Sequence, residues 1–447
     1  MGARSGSNYL STLKKLNAEI WLGGERVAEV TSHPALRNCA RALASLYDMQ
    51  MERVEQMTYR TDDGGRAGMS FIQPKSIEAV RKRSRMMAAW ANFSGGMVAR
   101  TPDHLNGGIA AMAAARDYFA ASDPRYRDNI ASYYLEARKH DWCATHTFIN
   151  LETRLGEKTA AGIIVSGGGM PVTLAPFAEE LIVFPSTSLS DDAHALAFAI
   201  PCNTKGLKFI CDDTSGAASS RRDAPLASRF DAMDCAVVFE DVMVPWARVF
   251  LCGDIERCNA LLDETGAGLH MMHQEVVKNV AQAEFMLGLA ARLAEVNDSA
   301  AEPDTHKLLA EMIAATAAMR ASLLEAETGA ASNRWGMMVP APQPLAAARD
   351  IFAQTHRRMV EIIQLIGGAE LMATASGNEI ALTNDSAPER SALYRLAWDA
   401  TVGILAQRQL LCEAPAADNP VHFGTQDGEF DLKPLTERIK DFLPRIG

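Results

Sequence analysis

No CxxC pair occurs in the chain, although eight cysteines are scattered along it: Cys39, Cys143, Cys202, Cys211, Cys235, Cys252, Cys258 and Cys412. Without paired spacing or a secretion signal, the expectation is reduced thiols in a cytoplasmic protein rather than a disulfide framework. Cys252 and Cys258 have no companion histidine at zinc-finger spacing, and no HExxH pattern is present, so no metal site is expected. No run of about 18 apolar residues occurs, which argues against a membrane span. The first residues, Met1-Gly-Ala-Arg-Ser-Gly-Ser, lack the apolar core of a signal peptide and match a myristoylation signal only weakly. A basic excess is missing too: the net charge is −11, which leaves no cationic stripe for nucleic-acid phosphates. Gly167-Gly168-Gly169 is not a GxGxxG fingerprint and precedes no obvious helix, so a Rossmann domain is not expected.

What is present is ordinary globular composition, 48% hydrophobic and 22% charged over 447 residues, enough for two or three domains. Trp21 to Val27 reads as a small hairpin turning at Gly23-Gly24. Ser32-His33-Pro34 then reads as the cap of a helix carrying Leu36, Ala40, Leu43 and Leu46. Apolar spacing predicts helix from Ser76 to Ala121, interrupted near Pro102, and again from Asn129 to Ala144. Near Thr145 the pattern changes to short β-branched or aromatic runs bounded by glycine and proline, including Gly167 to Gly169. These predict a compact antiparallel β domain. After His273 four helical stretches follow: Gln274–Glu295, Asp304–Asn333, Leu345–Ala375 and Arg390–Leu411. With short joins they read as a four-helix bundle. The expected parts are a helical N-terminal domain over 1–145, a β domain over 146–268 and a C-terminal bundle over 269–447, an α+β chain.

Three polar stretches interrupt apolar surroundings. Arg100-Thr101-Pro102-Asp103-His104 places a cation, a hydroxyl, a carboxylate and an imidazole in five consecutive residues. Its bland reading is a helix start with Thr101 or Asp103 as N-cap, which leaves Arg100 and His104 unexplained. Arg100 suits an anion such as a carboxylate or phenolate, and His104 can act as acid, base or donor near neutral pH. The second stretch, Asp141 to Thr147, carries His146 at the expected helix-to-β boundary. The third, Gly266 to Gln274, carries His270 and His273 at the entry to the bundle. Composition and spacing alone do not name a reaction.

A series of motifs does resemble a known family. Gly24-Glu25-Arg26-Val27, Thr31-Ser32-His33-Pro34, Arg100-Thr101-Pro102-Asp103 and Thr145-His146-Thr147 stand in order with Phe198-Ala199-Ile200-Pro201. Gly206 to Cys211, Arg229 to Asp234, Phe239 to Trp246 and Gln364 to Gly368 follow. Together they resemble the oxygenase component of the 4-hydroxyphenylacetate 3-monooxygenase family, the two-component FADH2-dependent aromatic hydroxylases. The resemblance covers nearly the whole chain. It implies an acyl-CoA-dehydrogenase-like fold, a homotetramer, and FAD delivered reduced by a separate NAD(P)H:flavin reductase. It also implies that O2 as co-substrate forms a C4a-hydroperoxyflavin, which hydroxylates a phenol ortho to its hydroxyl.

Carried over residue by residue, the resemblance implies that Arg100 and His146 hold the substrate hydroxyl and flank the flavin. Either His270 or His273 corresponds to a catalytic histidine of halophenol-hydroxylating relatives. His104 and Thr204 are implied as further substrate contacts, and Thr147, Glu152, Thr153, Arg154, Thr187, Arg408, Gln409 and Glu413 as flavin contacts. Family members acting on simple phenols often carry Tyr where this chain has His104. Asn150-Leu151-Glu152-Thr153-Arg154 and Gly367 to Ser376 also depart from the usual motifs. The expected substrate is therefore a small phenol or a different aryl group, free or tethered to a carrier protein. The alternative is a dehydratase of the 4-hydroxybutyryl-CoA type, in which cysteines of an iron–sulfur site stand where this chain has Arg100 and His104.

Overall fold

Residues Ala267–Val296 offer no continuous polar side to water, and in the computed structural model they form a 30-residue helix buried along most of its length. A helix apolar on nearly every side must be enclosed. Ile77–Ser94, Asp103–Ala114, Pro303–Thr328 and Pro342–Ala375 pack against it. The structure describes residues 2–149, 152–186, 189–211, 220–375, 387–412, 437–438 and 441.

Caps explain where several helices begin. The Ser76 hydroxyl accepts from the Ala79 amide ahead of Ile77–Ser94. Asp123 accepts from the Arg125 amide ahead of Pro124–His140, with proline in its favoured first-turn position. The cap expected at Ser32-His33-Pro34 is displaced. The His33 carbonyl closes a turn on the Leu36 and Arg37 amides, and the helix runs Arg37–Glu52 with no side-chain cap.

The β region comprises two packed sheets. The larger runs, in spatial order, Glu25–Arg26, Glu19–Leu22, Leu207–Cys211, Asp234–Pro245, Gly162–Thr173 and Arg154–Lys158. The smaller runs Val249–Cys252, Leu196–Pro201, Glu180–Phe184 and Ala144–Phe148. Most neighbours are antiparallel as expected, but two pairs are parallel: Glu19–Leu22 with Leu207–Cys211, and Ala144–Phe148 with Glu180–Phe184. The physical reason is connection length. A parallel pair needs a long crossover; two strands of the other sheet lie between Phe148 and Glu180, and most of the helical N-terminal region separates the first pair. Glu180–Phe184 is buried at every position, because helices cover one face of the small sheet and the large sheet covers the other.

The Gly23-Gly24 hairpin is present, with φ of 59° and 81°. Gly167 to Gly169 do not form the bounding turn expected of them. They lie inside the strand Gly162–Thr173, where Gly167 has φ 136° and a Cβ would lie 2.2 Å from the Glu152 carbonyl oxygen. Their role is to let the chain at 152–153 cross close over the strand. The fourth bundle helix is two helices, Ala387–Thr401 and Ile404–Cys412, and Pro342–Ala375 is kinked where Gly368 has φ 54°. The seven cysteines whose side chains are described are free thiols.

Candidate active site

The polar stretch at Arg100 is delivered by two glycines. Gly95 and Gly96 end the Ile77–Ser94 helix with φ of 62° and 76°. A Cβ on Gly95 would meet the Phe285 ring at 2.7 Å, and one on Gly96 the Gln282 side chain at 2.6 Å. The chain thus turns against the buried helix before entering Met97 to Arg100. The Gln409 amide donates to the Met97 carbonyl at 3.2 Å and holds this turn from the other side. The next helix is Asp103–Ala114. Neither Thr101 nor Asp103 caps it with a side chain; the N-cap is Pro102. The Thr101 hydroxyl is instead bonded to the Asp103 carboxylate, which sits in the first turn where the helix dipole favours negative charge.

This arrangement brings Arg100, His104 and His146 together. The His104 and His146 rings stack with centroids 5.5 Å apart. His146 is placed by the strand Ala144–Phe148, whose alternation puts His146 and Phe148 on one face and Thr145 and Thr147 on the other. Phe148 and Phe184 stand edge-on to the His146 ring at 5.6 and 5.8 Å. Burial, and then the nearby Arg100 charge, hold His146 well below the ordinary imidazole range. The same two causes press His104 down to about 3. Both rings are therefore neutral near pH 7. Arg100 is exposed and makes no ion pair or hydrogen bond among the described residues. A permanent cation beside two neutral imidazoles and two phenyl rings suits an aromatic anion.

The other residues implied by the resemblance are spread more widely. Thr147 is turned to the opposite face, where its hydroxyl donates to the Pro171 carbonyl at 2.9 Å. Thr204 lies in the turn after Pro201 and donates to that carbonyl at 2.6 Å. The strand register puts Pro201 opposite Glu180, and His146 opposite Ile182, so Thr204 lies beyond the other end of the strand from Phe184. Glu152 and Arg154 are exposed, whereas Thr153 is buried with no partner for its hydroxyl among the described residues. Arg408 is paired with Asp231 at 3.0 Å and Asp234 at 3.2 Å. Gln409 is occupied by Met97 and by Gln282, whose amide donates to it at 3.0 Å. The side chains of Arg408 and Gln409 thus brace the last helix against the β region and the buried helix. Thr187 and Glu413 lie outside the described residues.

His270 and His273 are both fully buried and point to different neighbours. The guanidinium of Arg83 donates to His270 Nδ1 at 2.6 Å, close over Gly107. His273 Nε2 meets Glu327 at 3.2 Å on the Pro303–Thr328 helix. His270 is one helical turn from Gln274, which bonds His104, so His270 is the one nearer the Arg100 cluster. Gln274, Arg83 and the buried Lys278 are absent from the residues the sequence singled out. A signal for them exists: His270, Gln274, Lys278 and Gln282 recur every four positions, a polar ladder on an otherwise apolar helix.

Two family profiles cover nearly all of the chain. The 4-hydroxyphenylacetate 3-hydroxylase N-terminal profile matches residues 5–251, and the C-terminal profile matches residues 258–443. The chain belongs to the 4-hydroxyphenylacetate 3-hydroxylase family. Among its relatives in that family is the 4-hydroxyphenylacetate 3-monooxygenase oxygenase component of Geobacillus sp. (strain PA-9), 38% identical over 99% of this chain and 97% of the relative. The corresponding protein of Thermus thermophilus is 36% identical over 99% and 97%. A crystal structure of such an oxygenase component, complexed with FAD and 4-hydroxyphenylacetate, superposes with a TM-score of 0.85, 35% identity and 98% of each chain covered. An archaeal 4-hydroxybutyryl-CoA dehydratase from N. maritimus shares the fold, with a TM-score of 0.82 over 92% of this chain and 89% of that one, at 16% identity. Membership makes the chain a two-component flavin-dependent monooxygenase with the α+β architecture of that family.

Proposed function

We propose that the chain hydroxylates a small phenol ortho to its hydroxyl, with Arg100, His104 and His146 gathered around the phenol oxygen. The observation that supports this most is Arg100, an exposed cation with no protein counter-charge among the described residues, set beside two buried neutral imidazoles. Charge on the phenol oxygen makes the ortho carbon electron-rich, and Arg100 stabilises that charge where it develops. Buried Phe184 beside His146 gives the ring an apolar wall, with Phe148 at its exposed edge. When bound, reduced FAD with dioxygen supplies the electrophilic oxygen atom. Thr153, whose buried hydroxyl lacks a partner among the described residues, and Arg100 are the groups that fit it best here. A free phenol is favoured over a carrier-tethered aryl group, because the carrier-dependent relative of Streptomyces globisporus is 26% identical against 38% and 36% for the two hydroxyphenylacetate enzymes.

The relatives' designation as oxygenase components supports a separate NAD(P)H:flavin reductase as partner. We read the working form as a cytoplasmic homotetramer with parts at 1–145, 146–268 and 269–447, the first lending its Glu19–Arg26 hairpin to the large sheet. The decisive experiment mixes the reduced-FAD complex with oxygenated buffer and a panel of phenols and their O-methyl ethers. An ortho-diol from at least one phenol, and none from its ether, is expected. Hydrogen peroxide as the sole product with every phenol would sink the proposal.

A further inference from the structure

We propose that Gln274 fixes the tautomer of His104, so that the imidazole offers Nε2 to the substrate as a hydrogen-bond acceptor; the substrate half of this statement rests on the hydroxylase reading above. Asp103 is fully buried and, once ionised above about pH 7, can only accept. Thr101 therefore spends its one hydroxyl hydrogen on Asp103. The Thr101 oxygen is left as an acceptor, and the Gln274 side chain approaches it at 3.1 Å with its amide nitrogen. That orientation places the Gln274 amide oxygen 3.0 Å from His104 Nδ1. An amide oxygen accepts, so Nδ1 carries the hydrogen. A neutral imidazole has one N–H, and Nε2 is thereby a bare lone pair. His104 Nε2 has no protein partner among the described residues.

The surroundings keep the ring neutral and the chain of bonds directional. Burial first, then Arg100 and Lys278, disfavour imidazolium at His104, and His146 stacks on it as a second neutral ring. Burial lifts Asp103 to about 7, and against that the Thr101 hydroxyl and then the charge of Arg83 favour its carboxylate form. His104 thus donates to Gln274, Gln274 to Thr101 and Thr101 to Asp103, a chain that links two helices through Thr101, just ahead of the Asp103–Ala114 helix.

The consequence is a substrate rule. A phenol hydroxyl donates to Nε2 and keeps its hydrogen, which draws electron density onto the phenol oxygen beside Arg100. A tyrosine at this position can donate to a phenolate, which His104 in this tautomer cannot. The site accordingly selects ligands bearing a donor, O–H or N–H, at the position facing His104.

The tautomer is readable without substrate. In the full-length protein carrying [15N]histidine at pH 8.5, the signals lost in His104→Ala are expected to show a protonated Nδ1 and an unprotonated Nε2. Gln274→Leu is expected to turn that signal into a mixture of tautomers, while Gln274→Glu, which keeps an accepting oxygen, preserves Nδ1–H. Thr101→Val, which frees the amide to rotate, is expected to mix them too and serves if Gln274→Leu does not fold. With unsubstituted phenol as probe, Gln274→Leu is expected to weaken binding about tenfold, the order of one hydrogen bond. A protonated Nε2 in the wild-type protein, or an unchanged tautomer in both Gln274→Leu and Thr101→Val, would overturn the proposal. Because the tautomer is read without substrate, its outcome is separate from that of the product analysis above.

Discussion

Arg83 and Arg100 each sit beside a histidine near the Asp103–Ala114 helix, yet they keep opposite company. Arg83 is fully buried, its charge disfavoured by desolvation so that its pKa falls to about 10, and its Nε and Nη1 lack partners among the described residues. Asp103 and Glu327 are the acids whose charge supports it. Arg100 stays in solvent and has no acid beside it among the described residues. The lesson concerns what each can still do. A sealed cation is already committed to holding its neighbours, and its loss is felt as instability. An open one keeps its charge available for a ligand, and its loss is felt as chemistry.

That contrast breaks most readily at Arg83. Arg83→Ala leaves His270 Nδ1 without its donor and removes the cation facing Asp103. It should cost about 1.5–3 kcal/mol in denaturant unfolding, the scale for a buried hydrogen bond to a charged group. A loss below about 1 kcal/mol would mean that the sealed assembly is not structural.

The partner carboxyl should show the same desolvation as a pH dependence. Burial lifts Asp103 to about 7, against an ordinary carboxyl value of 3.8. The native state then binds a proton that the unfolded state has already released, so stability from this group is full below about pH 4 and is lost as pH rises through about 7. Asp103→Asn should gain on the wild type across that window and level off above it, with a ceiling of about 4 kcal/mol. A difference independent of pH between 4 and 8 would show that Asp103 ionises normally.

Arg100→Ala sharpens the other side. Coupled hydroxylation should fall about 10²- to 10³-fold, as when a charge-stabilising donor is removed, with unfolding free energy changed by less than about 0.5 kcal/mol, as for an exposed residue. Matched losses of activity and stability would place Arg100 with Arg83 instead. The smallest effect is expected at Glu327→Gln. The amide oxygen still accepts from His273, so about 1 kcal/mol of stability should be lost and the yield of hydroxylated product per reduced flavin should not change. A drop in that yield would bring His273 into the site, against its position facing the Pro303–Thr328 helix.

The candidate site was partly legible in advance. Arg100, His104 and His146 stand out because polar side chains interrupt apolar runs, and the structure gathers all three. Thr147 and Thr204 were carried over with their motifs, but strand alternation and a turn hydrogen bond direct their side chains elsewhere. Choosing between His270 and His273 needed the helix's actual neighbours, since residues three apart on a helix enclosed on all sides meet different partners. The parallel pairing of Ala144–Phe148 with Glu180–Phe184 was hidden for a related reason: hydrophobic period reveals a strand but not which edge it joins.

The sequence by itself determined the order of helix, strand and bundle, the Gly23-Gly24 hairpin and the family, and it marked Arg100, His104 and His146 as candidates. These follow from local periodicity, turn chemistry and motif order, all of which are properties of neighbouring positions. Tertiary structure alone decided that Arg100 is open and Arg83 sealed, and that His104 is spoken for at Nδ1 by Gln274, 170 positions away. Desolvation and hydrogen-bond direction depend on what packs across the helix from each group, and that is not written at the group's own place in the chain.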